Sequence, residues 1–300
     1  MGKTFKIWTE REKNYLINNF NAFSIGQIAK RLNRTIRSIY WQAGQLRLSH
    51  QEYNRKFMAV KSKQYTLNEN YFEKIDSKDK AYFLGLLYAD GYNHKYQHCV
   101  EISLSVEDEE ILKKFKYYIK TKKPLYHYDR KGRKQKSVMS LSSEKLRSDL
   151  SALGCINKKS HRLSFPSFLP PELTPFFILG FFDGDGSCFI GNRKYTYKGK
   201  IHLTKMIGVN FTSCYKFILG LENYLKGKGF HFRKNKDKRK KDSWYLNATG
   251  KMALLFLSWL YTDKSIYLKR KYKKYLEMCQ LLHKGVIGKK FKSKMEGIYA

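Results

Sequence analysis

Two nine-residue segments carry the residues best suited to chemistry. Phe83-Leu84-Gly85-Leu86-Leu87-Tyr88-Ala89-Asp90-Gly91 and Ile178-Leu179-Gly180-Phe181-Phe182-Asp183-Gly184-Asp185-Gly186 share one pattern, and their final aspartates lie 95 residues apart. Each holds small residues four apart, Gly85 with Ala89 and Gly180 with Gly184. On a helix that spacing puts them on one face, so two such helices could approach closer than the usual ~8–10 Å. Gly91 and Gly186 follow where each helix should stop, as residues able to take a left-handed conformation. Asp90 and Asp185 would then stand side by side at two helix C-termini, disfavoured by both dipoles and by each other. A divalent cation between them would relieve this, and an all-oxygen donor set favours Mg²⁺, for which Mn²⁺ could substitute. Carboxylate-held metal beside a basic surface suggests phosphodiester hydrolysis by metal-activated water.

The basic surface is plain from composition. The 300 residues include 60 Lys and Arg against 25 Asp and Glu, a formal charge of +35. Such a charge opposes compaction unless an anionic partner neutralises it, which places nucleic acid first. A 16% aromatic content argues against general disorder. Apolar stretches such as Phe176–Phe182 fall far short of the ~20 residues a membrane span needs, and the first residues lack a signal-peptide core. Five scattered Cys without a Cys-x-x-Cys pair suggest inert thiols in a reducing compartment. The expectation is an intracellular protein, cytoplasmic or organellar, with no membrane partner.

The elements that must position the aspartates are legible in outline. Residues 1–48 read as three short helices. Thr9 with Glu12 and Ser24 with Gln27 form capping boxes, and Thr35 can cap a third helix striped by Ile36, Ile39, Ala43 and Leu46. Its other face carries Arg37, Ser38, Trp41 and Gln42, preceded by Arg34, as in a helix-turn-helix unit. Residues 1–65 hold 13 basic and 3 acidic side chains, which favours DNA over a protein partner. Residues 49–65 read as a linker. Prolines at 166, 170, 171 and 175 mark a second linker over 166–175, because such spacing cannot sustain a helix. The repeats then span 66–165 and 176–285, with a basic tail at 286–300. After each aspartate comes an alternating run suited to a half-buried strand, Val100–Leu104 and Val209–Thr212. An amphipathic helix, a basic hairpin and a second apolar helix follow, so the predicted unit is helix, two strands, helix, two strands, helix, present twice.

The doubled motif resembles that of the LAGLIDADG homing endonucleases in their single-chain, two-motif form, over about residues 66–285. The N-terminal block resembles the Myb/SANT-like helix-turn-helix family in Trp8-Thr9-Glu10-Arg11-Glu12 and in its Ile28–Thr35 segment. The resemblance implies an α+β fold: a pseudo-two-fold αββαββα repeat with saddle-shaped antiparallel sheets, preceded by a small three-helix DNA-binding domain. It also implies Mg²⁺-dependent cleavage of both DNA strands with 3′ overhangs, and mobility of the encoding intron or gene. Asp90 and Asp185 match the eighth-position metal-binding catalytic acids. At the sixth position Tyr88 replaces an acid that Asp183 retains. The family places a lysine late in each repeat. Ile156–Leu163 and Leu268–Tyr275 share an apolar-x-basic-Lys pattern, which nominates Lys159 and Lys271 as catalytic, with Lys158 or Lys269 as the neighbouring register.

Further DNA contacts are expected from basic, aromatic-interleaved stretches: Arg130, Arg133 and Lys134; Arg193, Lys194, Tyr195, Tyr197, Lys198 and Lys200; Arg233, Lys236 and Arg239. His94 and His98 are spaced for zinc but lack an intervening acid and fall in a turn. No P-loop or dinucleotide fingerprint is present, and the terminal Gly-Ile-Tyr is isolated. The chain reads as freestanding or intron-encoded rather than embedded in an intein. Two motifs in one chain already complete the pseudo-dimer, so a monomer is expected. The expected function is a site-specific endonuclease on double-stranded DNA. Alternatives are a group I intron RNA maturase and a non-catalytic transcription regulator on the same scaffold.

Overall fold

The computed structural model describes residues 7–48, 65–94, 97–129, 135–157, 159–238 and 242–283. The chain divides into two compact units, residues 1–66 and 67–300. In the first, α1 (Glu10–Asn19), α2 (Ile25–Arg31) and α3 (Ile36–Gln45) enclose a small core of Leu16, Phe20, Ile25, Ile28, Ala29, Ile39 and Ala43. Both capping boxes form, with Thr9 and Ser24 accepting from the Glu12 and Gln27 amides, and Thr35 accepts from the Ser38 amide.

The second unit repeats one αββαββα pattern. Its first copy comprises α4 (Lys78–Asp90), β1 (Gly91–Asn93), β2 (Cys99–Ser105), α5 (Glu109–Tyr118), β3 (Tyr126–Tyr128), β4 (Lys136–Ser142) and α6 (Glu144–Ala152). The second comprises α7 (Thr174–Asp185), β5 (Gly186–Tyr197), β6 (Lys200–Ser213), α8 (Tyr215–Gly227), β7 (Arg233–Lys236), β8 (Trp244–Thr249) and α9 (Lys251–Leu260), followed by α10 (Lys269–His283). Each copy builds a four-stranded antiparallel sheet in the same order, β1-β2-β4-β3 and β5-β6-β8-β7. The second linker ends earlier than expected. Helix α7 begins at Thr174 with Pro175 in its first turn, where a missing N–H costs nothing.

Helices α4 and α7 lie at the centre and are buried around most of their circumference, from Ala81 to Tyr88 and from Phe177 to Asp183, which is why both are apolar on all faces. Their small residues permit backbone contact. A Cβ at Gly180 would lie 2.8 Å from the Tyr82 carbonyl carbon and 2.9 Å from the Leu86 nitrogen. One at Gly85 would lie 2.9 Å from both the Phe177 carbonyl carbon and the Phe181 nitrogen. The reciprocal pairing of Gly85 with Phe177 and of Gly180 with Tyr82 makes the contact two-fold.

Gly91 and Gly186 depart from the expected left-handed conformation. They are extended, at φ −75° and −84°. A Cβ at either would lie 2.5 Å from the carbonyl oxygen of Leu87 or Phe182. Glycine is needed for the close turn from helix into strand, not for a positive φ.

Candidate active site

The packing of α4 on α7 brings Asp90 and Asp185 to adjoining helix ends. A Cβ at Gly184 would lie 2.9 Å from the Asp90 Oδ2. Both aspartates reach solvent, and the Asp90 carboxylate accepts no hydrogen bond among the described residues. Protein atoms crowding Asp90 raise its pKa, an effect opposed first by Lys159 and then by Lys271. Two carboxylates with no third His, Cys, Asp or Glu to complete a cluster among the described residues suit an ion that takes its remaining oxygens from water and phosphate. That is the coordination habit of Mg²⁺.

Lys159 and Lys271 occupy equivalent places. The Lys159 ammonium donates to the Gly91 carbonyl oxygen. The Lys271 ammonium donates to the Gly186 carbonyl at 2.6 Å, to that of Asp183 at 2.7 Å and to that of Phe182. Each lysine therefore caps the carbonyl-rich end of a motif helix, the favourable place for a cation. Burial lowers both lysine pKa values, that of Lys271 to about 8, with Asp183 pulling against the shift. Of the alternative registers, Lys269 points to the surface and pairs with Glu110 at 2.6 Å, whereas Lys158 lies outside the described residues.

This depressed pKa has a measurable consequence. Between pH 8 and 10.5 the unfolded chain holds a proton at Lys271 that the folded chain has shed, so this residue makes stability rise with pH in that window. The wild type should gain about 3 kcal/mol relative to Lys271→Met between those limits. Parallel denaturation curves for the two proteins would contradict the assignment.

Asp183, at the sixth motif position, is buried away from the solvent-facing aspartates. Its Oδ2 accepts from the Tyr82 hydroxyl at 2.7 Å and the Leu268 amide at 2.8 Å. Burial raises its pKa to about 6, opposed first by Lys271. Tyr88, its counterpart in the first copy, donates its hydroxyl to the Leu153 carbonyl.

Strand alternation sorts the expected DNA contacts. In β5–β6 the sheet's inner face holds Ile190, Ile207, Val209 and Phe211, and Arg193 and Tyr195 point to the opposite, outer face with Thr204 and His202 across from them. Lys194 shares the inner-face parity with Leu203, beyond the edge of the core. Lys198 and Gly199 form the two-residue turn, both at positive φ (50° and 72°), as a tight hairpin requires. Lys200 follows it, exposed. Tyr197 ends β5. Arg233 lies on the outer face, whereas Lys236 has the parity of Lys234, which pairs with Glu222 at 2.5 Å. Arg130, Arg133, Lys134 and Arg239 fall outside the described residues.

The outer faces hold residues that charge-based reasoning missed. Ser187, Asn210, Asn247 and Arg233 align in register across all four strands of the second sheet, and Tyr92, Glu101 and Ser140 align across the first. The polar halves of the alternating runs were the available signal. In the N-terminal unit, Arg37 and Trp41 are exposed on α3, and Ser38 is half-buried. Two expected contacts are corrected. Gln42 is buried, and Arg34 is spent inside the unit, pairing with Glu12 at 2.8 Å, donating to the Ile7 carbonyl at 2.6 Å and lying 4.4 Å from the Trp8 ring centroid. Arg34 thus ties α3 to the start of α1. Arg34→Ala should destabilise the N-terminal unit by about 1–3 kcal/mol, the loss of charge-assisted hydrogen bonds to a half-buried carboxylate. A thermal melt of residues 1–66 that is unchanged by the substitution would contradict this.

His94 and His98 associate with different carboxylates, those of Glu101 and Glu144. No described helix is long and apolar enough to cross a membrane.

Solved structures share this fold. No protein-family model matches the sequence, and no curated protein does. Among solved structures, the LAGLIDADG homing endonuclease I-LtrWI bound to target DNA matches 77% of this chain and 97% of its own, at TM-score 0.50 and 12% identity. The meganuclease I-SmaMI bound to uncleavable DNA matches 73% and 96%, at TM-score 0.46 and 13% identity. I-AabMI bound to uncleaved DNA matches 72% and 96%, at TM-score 0.44 and 13% identity. The second unit has the α+β fold of the LAGLIDADG homing endonucleases.

Proposed function

We propose that the protein is a site-specific DNA endonuclease that makes a metal-dependent double-strand break with 3′ overhangs in a long target and so promotes mobility of its own intron or gene. The observation that carries this reading is the meeting of Asp90 and Asp185 at two helix ends, each end held by a lysine on the carbonyl that follows the acid. In support, the fold is that of I-LtrWI, whose structure was solved on its target DNA.

Asp90 and Asp185 are the residues that would hold Mg²⁺, or Mn²⁺ in its place. When bound, the ion would neutralise phosphate charge and acidify a water for attack. The chain's own residues do the rest. Lys159 and Lys271 fix the two carboxylate-bearing turns and add positive charge where the reacting phosphate gathers negative charge. The outer sheet faces present Arg193, Tyr195, Arg233 and the Ser187–Asn210–Asn247 row to base edges, and the surrounding lysines engage phosphates. Arg37, Ser38 and Trp41 of α3 extend the contact to flanking DNA. One chain supplies both halves of the site, so it acts as a monomer.

The test is cleavage of plasmid carrying the joined sequences that flank the gene's insertion point, with Mg²⁺ and with EDTA. A discrete linear product that requires the metal supports the reading. Tight, salt-sensitive binding without a cut overturns it in favour of a regulator, or of a maturase if the intron RNA is bound as well.

A further inference from the structure

The sixth motif residue differs between the copies, Tyr88 against Asp183, yet each contacts the stretch of chain that leads to the lysine of its own repeat. In each repeat the catalytic lysine arrives on the segment that follows the last helix of the αββαββα unit. In the first copy that segment begins at Leu153, directly after α6, and in the second the stretch before the lysine is Leu268 to Lys271, at the start of α10. Tyr88 donates to the Leu153 carbonyl, the first residue of one segment. Asp183 accepts from the Leu268 amide at 2.8 Å, closer to its lysine in sequence than Leu153 is to Lys159.

The remaining ties are unequal. The first segment is also held by Asn93, whose amide donates to the Cys155 carbonyl at 2.8 Å, and by Asn157, which donates to the Asn93 carbonyl at 3.0 Å. The Cys155 thiol points at the Leu87 carbonyl at 3.5 Å. In the second segment the Asp183 contact is joined by a weak Cys188 thiol contact to the Lys271 carbonyl at 3.7 Å. Arg270 also pairs with Asp108 of the first repeat at 2.8 Å.

We propose that Tyr88 and Asp183 are positioning residues, each seating the lysine-bearing segment of its own repeat. The two segments lie on opposite sides of the pseudo-two-fold, so each residue governs one strand's cleavage more than the other's. Two chemistries suit this one role. A tyrosine hydroxyl can donate to a carbonyl, a carboxylate can accept from an amide, and the segment offers a different backbone group in each copy.

The proposal rests on the nuclease reading, and its test separates the two. Each strand's cleavage rate is measured on end-labelled target DNA. In parallel, amine acylation of Lys271 is followed by mass spectrometry on the protein without metal or DNA. Asp183→Leu should shift the ratio of strand rates about tenfold, the effect of losing one strong hydrogen bond at a reacting centre, and should speed Lys271 acylation. Asp183→Asn should keep the wild-type ratio, because Tyr82 and Leu268 both donate to Oδ2 and an amide oxygen can take its place. Both variants remove the carboxylate that holds the Lys271 pKa up, so Lys271 acylation should be faster in Asp183→Leu than in Asp183→Asn. Tyr88→Phe should shift the ratio in the opposite direction and by less, since Asn93 and Asn157 still hold the first segment. Equal slowing of both strands with unchanged Lys271 acylation overturns the proposal. A wild-type protein that never cuts overturns the nuclease reading, and the acylation arm then still decides whether Asp183 seats the segment.

Discussion

Asp90→Asn is expected to abolish double-strand cleavage, lowering the rate by on the order of 10³-fold, while leaving DNA affinity almost unchanged. Asp185→Asn should do the same. The cause is electrostatic. Each carboxylate sits at the negative end of a helix with the other acid adjacent, a location that costs free energy unless a cation shares it. An amide keeps the shape and hydrogen-bonding reach but removes the charge that would hold Mg²⁺. Affinity should survive because it comes mainly from the many Lys and Arg on phosphates, and it should fall steeply with salt in both proteins. Cleavage and gel-shift titrations on one target would check this. Undiminished cutting by Asp90→Asn would remove the assignment of the site.

The second large effect is on packing. Gly180→Ala should destabilise the second unit by more than about 3 kcal/mol, lowering its melting temperature by about 6–12 °C. The added Cβ would meet Tyr82 and Leu86 backbone atoms at under 3 Å, and main chain cannot turn aside as a side chain can. The helices would have to separate, which also draws Asp90 from Asp185, so cleavage should fall further than stability alone accounts for. Gly227→Ala is the control, since a Cβ there meets nothing within 4 Å, and helix propensity favours alanine. Equal melting temperatures for the two variants would show that the small-residue contact is not what holds α4 to α7.

Much of this arrangement could be read from residue types, because local patterns report local structure. Capping boxes at Thr9 and Ser24 announce helix starts through the first few residues alone. The alternation at Val100–Leu104 and Val209–Thr212 reports a face of a sheet. The repeated motif predicted that small residues would face one another. Where reasoning went astray, it used a local rule for a property that distant atoms control. Gly91 and Gly186 look like left-handed caps, but the turn is extended, and glycine is required by the carbonyl four residues earlier. Arg34 looks like a DNA contact because it is basic and begins a recognition helix, but the carboxylate of Glu12, 22 residues away, claims it.

By itself, the sequence determined the doubled αββαββα plan and the strongly basic composition, and it nominated the paired aspartates. These follow from composition and from periods of two and 3.6 residues, which do not depend on what packs against what. Only the tertiary structure decided that Lys159 and Lys271 each reach a motif helix end and which faces of the β5–β6 hairpin point away from the core. It also brought Tyr88 against Leu153 and Asp183 against Leu268, the contacts from which their positioning role is proposed. Those outcomes turn on contacts across 65 to 89 residues of chain, where a shift of one position moves a side chain from the site to the surface.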